Sequence, residues 1–186
     1  MPAPRRSSSK PRSRAALDAR LRRVRLLLCD VDGVMTDGSV FMGEAGEFKQ
    51  YNVPDGLGLL LLRRAGIKVG WISARPSPAT QVRAQDLQID VLLQPTDGKV
   101  PAAEALLQEL GMKWAEVCYV GDDVLDLGML KRAGVAIAPA NGVAEARALA
   151  HHVTRQRGGH GAVREVAEMI LKAQKKWAKI VADHAA

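Results

Sequence analysis

A short apolar run over residues 24–29 stops at an aspartate, and the chain continues Asp30-Val31-Asp32-Gly33. The run is too short for a buried helix. It suits a strand covered on both faces, as in a parallel sheet. Asp30 and Asp32 then lie just past the carboxyl end of that strand, where open α/β sheets bind their ligands. Such a strand needs partner strands on both sides and helices over both faces.

The rest of the chain supplies them. A short helix over 15–23 leads in. Residues 39–42 and 48–51 flank Gly43-Glu44-Ala45-Gly46-Glu47 and read as a β-hairpin inserted after the Asp loop. An isolated hairpin is marginal in water, so this one is expected to pack against something, a second subunit being one option. Helices are expected over 55–65, 76–87, 98–110, from the acids at 122–123 to 133, over 143–150 and over 162–182. Strands are expected over 67–72, 89–93, 117–120 and 135–138. Gly66 and Gly111 end two of the helices. Val163, Val166, Ile170 and Leu171 give the last one a helical stripe. This alternation predicts an α/β fold, a parallel sheet with helices on both faces. With the strands outside the hairpin ordered 3-2-1-4-5, the connections change direction between the first and fourth strands. Those strands end in Asp30 and Asp122.

Two carboxylates one residue apart can face a single hard cation such as magnesium, which takes oxygen ligands and keeps waters for a substrate phosphate. One carboxylate can attack phosphorus and form an aspartyl-phosphate. The other can protonate the leaving oxygen and later deprotonate water. An isolated D-x-D-G is also an ordinary turn, so the remaining residues decide. Ser73 follows the second strand, placed to donate to a phosphate oxygen or to cap a helix. Arg75 can grip a ligand carboxylate or pair with a surface acid. Lys99 opens a helix as a compact cation for a phosphoryl group. Asp122, Asp123 and Asp126 follow the fourth strand and can complete a magnesium site.

These four motifs in this order resemble the haloacid dehalogenase (HAD) phosphohydrolase superfamily. The resemblance narrows at Asp30-Val31-Asp32-Gly33-Val34-Met35-Thr36-Asp37-Gly38, at the segment from Phe48 to Gly56, at Gly121-Asp122-Asp123-Val124-Leu125-Asp126 and at the segment from Arg157 to Glu165. Over residues 25–175 the chain is similar to the 3-deoxy-D-manno-octulosonate 8-phosphate (KDO 8-phosphate) phosphatase family. That resemblance implies a HAD-like Rossmannoid fold without a cap domain and a magnesium-dependent sugar-phosphate phosphatase. It makes Asp30 the nucleophile and Asp32 the acid/base. Magnesium is held by Asp30, the backbone carbonyl of Asp32, and Asp122, with Asp123 or Asp126 supporting or joining them. Ser73 and Lys99 contact phosphate, and Arg75 contacts the substrate. It further implies a homotetramer whose hairpins pack together and whose Gly-rich segment approaches a neighbour's site. Ser73-Ala74-Arg75 stands where Thr-Gly-Arg is usual, and Pro95-Thr96-Asp97-Gly98-Lys99 replaces a Gly-Gln-Ser-Asn-Lys-like stretch. Serine keeps the hydroxyl; the altered loop before Lys99 bears on which sugar acid is bound. The competing readings are a phosphatase for another sugar acid phosphate, such as KDN or sialic acid 9-phosphate, and a non-catalytic phospho-acceptor or regulatory module. Receiver modules carry the acceptor aspartate after strand three and the lysine after strand five, an order this chain does not have.

The formal charge of +7 is unevenly placed. Residues 1–25 hold nine Lys and Arg and one acid, Asp18, whereas the remainder holds 18 basic and 19 acidic residues. Residues 1–14 therefore read as a disordered basic leader, and 15–186 as a single domain. The near-neutral body argues against nucleic acid as a partner. No apolar stretch approaches a membrane span, and the leader has no apolar core of a signal peptide, so a cytoplasmic location is the default. Cys29 and Cys118 fall in expected strands and read as small core residues. His151, His152 and His160 lack metal-ligand spacing with other His or Cys. Asp37 reads as a stabiliser of its loop.

Overall fold

A computed structural model describes residues 14–44 and 46–185. The chain runs α1 (Arg14–Leu21), β1 (Leu26–Cys29), β2 (Phe41–Gly43), β3 (Gly46–Phe48), α2 (Val53–Arg64), β4 (Lys68–Ile72), α3 (Pro78–Asp86), β5 (Val91–Leu93), α4 (Lys99–Glu109), β6 (Val117–Val120), α5 (Leu127–Arg132), β7 (Val135–Ala138), α6 (Ala144–Leu149), β8 (His152–Val153), α7 (Ala162–Ala173) and α8 (Trp177–Asp183). Six strands form one parallel sheet in the order β5-β4-β1-β6-β7-β8. This is the expected 3-2-1-4-5 order with β8 added at the edge. Two paired residues, Ile137↔His152 and Ala138↔Val153, make up that addition. A two-residue strand leaves no hydrophobic period to read.

The unbroken apolar run of β1 has a direct cause. Successive residues of a strand point to opposite faces, and both faces of this sheet are covered. Leu27 and Cys29 join a core with Leu59 and Leu62 of α2 and Val163, Val166 and Ile170 of α7. Leu26 and Leu28 join a second core with Ala103 and Leu107 of α4 and Met129 and Leu130 of α5. Cys29 and Cys118 are buried free thiols on neighbouring strands.

Helix starts follow side-chain caps. Asn52 accepts the Asp55 N–H at 3.1 Å and Pro54 sits in the first turn, so α2 begins at Val53, ahead of the expected 55. Ser77 caps α3, and Pro78 is that helix's first residue. The expected single helix over 162–182 is instead two, α7 and α8. Lys175 between them has φ +59°. Gln174 donates to the carbonyls of Leu21 and Val24 at 3.3 and 2.8 Å, and the Lys176 ammonium donates to the Ala65 carbonyl at 2.7 Å. These bonds satisfy the ends of other elements, and no glycine or proline marks the break.

The hairpin closes more tightly than expected. Phe41 pairs with Phe48, Met42 with Glu47 and Gly43 with Gly46. Residues 49–52 leave the ladder and cross toward the Asp loop. Phe41, Met42 and Phe48 are exposed, Met42 by 73%. Of the expected leader, residues 1–13 lie outside the described residues, and Arg14 begins α1. Among the described residues no helix is long and apolar enough to cross a membrane.

Candidate active site

From β1 the chain builds β4 and β5 on one side, then returns to β6 on the other. The carboxyl ends of β1 and β6 are therefore neighbours at the switch point. The Asp30 N–H donates to the Val120 carbonyl at 2.9 Å. The loop after Asp30 folds tightly, with the Val31 carbonyl accepting from the N–H groups of Val34, Met35 and Thr36. Gly33 has φ +86°, and a Cβ there would meet Asp122 Oδ2 at 2.1 Å. Only glycine lets the loop pass this close to Asp122. Asp30, Asp122 and Asp126 each present a carboxylate oxygen, and the three oxygens lie within 4.8 Å of one another.

Lys99 reaches this cluster from the first position of α4. Its ammonium lies 2.8 Å from Asp30 Oδ2 and 2.7 Å from Asp126 Oδ1. Asp126 Oδ1 also accepts from the Tyr119 hydroxyl at 2.6 Å, while Oδ2 accepts from the N–H groups of Asp122 and Asp123 at 2.8 and 3.2 Å. The Asp126 carboxylate is saturated by protein donors. Asp123 is exposed and caps the short 3₁₀ turn over Val124–Asp126, accepting the Val124 N–H at 2.5 Å. It stands outside the group of three.

Burial pushes the Asp30 carboxyl from 3.8 up to about 6, against the pull of Lys99. Burial, with repulsion from Asp30 and Asp126 added, pushes Asp122 up to about 7. For Lys99, burial alone would lower the ammonium; the carboxylates of Asp30 and Asp126 outweigh it and hold it above its ordinary value. Negative charge here exceeds what the lysine offsets. Asp122 Oδ1 is buried and has no hydrogen-bond partner. A buried carboxylate oxygen left unpaired beside two further carboxylates fits a hard, oxygen-seeking cation such as magnesium.

The Asp32 carboxylate is not one of that group of three. It pairs with Lys49, whose ammonium lies 2.7 Å from Oδ1 and 3.0 Å from Oδ2. Lys49, which follows β3, was not among the residues that motif reading singled out. Hydrophobic pattern does not mark it: from Glu47 to Tyr51 the odd residues turn inward and the even ones outward, which puts a lysine inside and Phe48 outside. Glu47 holds Arg75 at 2.6 Å and the Ser77 hydroxyl at 2.5 Å. Those two bonds, the arginine's first, take the Glu47 carboxyl down to about 2. Arg75 thus pairs with a protein acid, yet 44% of its side chain stays exposed, with Nη1 4.0 Å from Asp32 Oδ2. Ser73 is buried, and its hydroxyl bonds within its own turn, to the N–H and carbonyl of Arg75, both at 3.2 Å.

The Gly-rich segment lies on this chain's own Asp loop. Asn141 bridges the two, donating to the Gly33 carbonyl at 3.1 Å and accepting the Gly158 N–H at 2.6 Å. Gly159 donates to the Val34 carbonyl at 3.0 Å. Buried Asp55 accepts from the N–H groups of Gly161 and Arg164 at 3.0 and 2.7 Å and so fixes the start of α7. Asp37 accepts the Ser39 N–H at 2.8 Å and steadies its loop.

A family profile described as haloacid dehalogenase-like hydrolase matches residues 62–166. The chain is 42% identical over 154 residues to the 3-deoxy-D-manno-octulosonate 8-phosphate phosphatase KdsC of Yersinia pestis, covering 82% of each. It is 39% identical over 163 residues to KdsC of Escherichia coli K12, covering 85% of each. Among solved structures it is similar to the Moraxella catarrhalis phosphatase of the same name in complex with a magnesium ion, a phosphate ion and KDO, with a TM-score of 0.89, 36% identity and coverage of 92% of this chain and 99% of that one. It is also similar to a cobalt-bound Haemophilus influenzae relative, with a TM-score of 0.81, 35% identity and coverage of 84% and 92%. Matched by that profile over more than half its length and by these relatives over most of theirs, the chain belongs to the haloacid dehalogenase-like hydrolases and, within them, to the 3-deoxy-D-manno-octulosonate 8-phosphate phosphatase family.

Proposed function

We propose that this chain hydrolyses KDO 8-phosphate to KDO and inorganic phosphate, with magnesium as cofactor and an aspartyl-phosphate intermediate on Asp30. The observation that carries the reading is the likeness, over 92% of this chain, to a phosphatase solved with magnesium, phosphate and KDO. Asp30, Asp122 and the Asp32 carbonyl would hold magnesium, which when bound supplies positive charge against a phosphate monoester. Asp126 supports the site by holding Lys99 and the backbone of the Asp122 turn.

Asp30 attacks phosphorus in line, forming an Asp30 O–P bond as the bond from phosphorus to the sugar oxygen breaks. Asp32 gives its proton to that oxygen, and KDO leaves. Asp32 then takes a proton from water, whose oxygen attacks phosphorus and releases phosphate, restoring Asp30. Lys99, and Ser73 once its hydroxyl turns from its own loop, donate to phosphate oxygens. Arg75 has exposed N–H groups left over from Glu47 for the carboxylate of the sugar acid. The exposed apolar residues Phe41, Met42 and Phe48 support burial of the hairpin between subunits of a homotetramer, and the enzyme is assigned to the cytoplasm.

Phosphate release from KDO 8-phosphate, KDN 9-phosphate and sialic acid 9-phosphate, each with magnesium and with chelator, tests the reading. The specificity constant is expected to be highest for KDO 8-phosphate and turnover to stop with chelator. Preference for a nine-carbon substrate would reassign the substrate. No magnesium-dependent release would return the chain to the phospho-acceptor class.

A further inference from the structure

Lys49 is a lysine whose side chain has no exposed surface. Both oxygens of Asp32 lie against its ammonium, at 2.7 and 3.0 Å, and the Thr80 hydroxyl accepts from it at 3.1 Å. Glu47 Oε1 is 3.6 Å away. The extended segment that carries it is pinned on both sides. Glu47 is tied to Arg75 and Ser77. Tyr51 stacks on Trp71 with parallel rings 5.9 Å apart, and its hydroxyl bonds Thr80 at 3.3 Å. A buried ammonium on a chain anchored at either end is a fixed point, not a solvated surface charge. The Asp32 side chain, by contrast, is 24% exposed. Its other near cation, Arg75, stands 4.0 Å away on a more exposed side chain.

We propose that Lys49 is the positioning residue for Asp32: the segment leaving the hairpin uses it to hold that carboxylate in the one orientation from which it can pass a proton to the leaving oxygen and take one from water. The proposal rests on Asp32 being the acid/base, as argued above. It gives the hairpin a task inside its own subunit, independent of any contact between subunits. Without that fixed point the carboxylate is misplaced for both proton transfers, the one to the leaving oxygen and the one from water. Misplacing a proton-transfer group by about an ångström is enough to lower a rate about 10²-fold.

The test is a double-mutant cycle on magnesium-loaded enzyme with Lys49→Met, Asp32→Asn and the pair, checking each for native far-UV circular dichroism. Asp32→Asn alone is expected to lower kcat by about 10²–10⁴-fold. Lys49→Met alone is expected to lower kcat by roughly 10²-fold with KM little changed. In the Asp32→Asn background the lysine change should add less than about threefold, because the group it acts through is gone. With p-nitrophenyl phosphate, whose leaving group needs little protonation, Lys49→Met should give a burst of about one nitrophenolate per site before slow turnover. Wild-type kcat in Lys49→Met, or losses that multiply in the double mutant, would overturn the proposal while leaving the phosphatase reading intact. Near-wild-type turnover by Asp32→Asn would overturn the assignment of Asp32 itself. If Lys49→Met does not fold, Thr80→Val removes the hydroxyl that accepts from both the ammonium and Tyr51. The same cycle then applies, with a smaller loss that again vanishes beside Asp32→Asn.

Discussion

Asp126 Oδ1 lies 2.7 Å from the Lys99 ammonium, and the Asp126 side chain has no exposed surface. Its two oxygens accept four hydrogen bonds, from Lys99, Tyr119 and the N–H groups of Asp122 and Asp123. Asp126→Asn keeps the shape but turns one acceptor into an NH₂ that faces donors on either side. It also leaves Lys99 paired with Asp30 alone. Each buried donor left facing that NH₂ costs about 1–3 kcal/mol, and relief of the repulsion on Asp30 and Asp122 returns part of it. Chemical denaturation should report a loss of that order, together with a large fall in kcat. A variant as stable and active as wild type would remove Asp126 from the support of the site.

Asp30→Asn separates chemistry from folding. Asparagine cannot form the aspartyl-phosphate, so turnover should fall to near background. The fold should survive, because the removed charge is one that burial already disfavours. Acid-quenched wild type incubated with radiolabelled substrate should carry phosphate on Asp30, and the variant should carry none. Substantial turnover by the variant would defeat the covalent scheme.

Stability without metal should fall as pH rises from about 4 to about 7. Asp30 and Asp122 ionise near 3.8 in the unfolded chain but near 6 and 7 in the native one. Across that window the native state binds more protons than the unfolded state, so the slope of stability with pH is negative. The contribution is full below about 3.8 and lost above the native values. Glu47, with its carboxyl near 2, loses its stabilisation as pH falls from 4.5 toward 2 and touches only the lower edge of this window. Magnesium needs the ionised carboxylates, so the rise in Tm on adding it should be larger at pH 8 than at pH 5.5. Thermal unfolding with magnesium and with chelator at both values measures this. An equal rise at both would place the metal on other ligands.

What could be read from the sequence follows from what each feature depends on. The strand β1 and its two aspartates were legible because an apolar run bounded by Asp30 has few structural outlets. Lys99 and Asp122 were legible because topology alone carries both to one end of the sheet. The partition among the acids was not. Asp126 supports and Asp123 caps a turn because of backbone N–H directions that spacing does not record. Of the two roles open to Ser73, the helix cap falls to Ser77, and the Ser73 hydroxyl bonds its own turn, a detail spacing does not record. Lys49 was missed because its partner, Asp32, is seventeen residues away across a hairpin whose exact ladder the sequence leaves open. The break at Lys175 was missed because long-range bonds to Leu21, Val24 and Ala65 hold it, not a local breaker. The Gly-rich segment leads into α7, as the stripe of Val163, Val166 and Ile170 indicated, and those residues are core; its seat on the Asp loop rests on long-range bonds that spacing does not record.

That segment yields the last prediction. A Cβ on Gly158 would stand 1.8 Å from the Gly33 carbonyl oxygen, far inside contact distance. The backbone there has nowhere to yield, since Asn141 bonds both Gly158 and Gly33. Gly33 in turn lies against Asp122 Oδ2. Gly158→Ala therefore pushes the Asp loop and, through it, the carboxylates around the proposed metal. A displacement of about 1 Å at such a site lowers kcat about 10²-fold. Gly66→Ala is the control. Gly66, unlike Gly158, has positive φ, but a Cβ there meets nothing within 4 Å. That change costs about 1–2 kcal/mol of backbone strain and should leave kcat alone. Steady-state kinetics and denaturation of the two variants separate a loop pressed out of place from a chain merely less stable. If Gly158→Ala loses stability but keeps its kcat, the Gly-rich segment carries the fold and not the geometry of the acids.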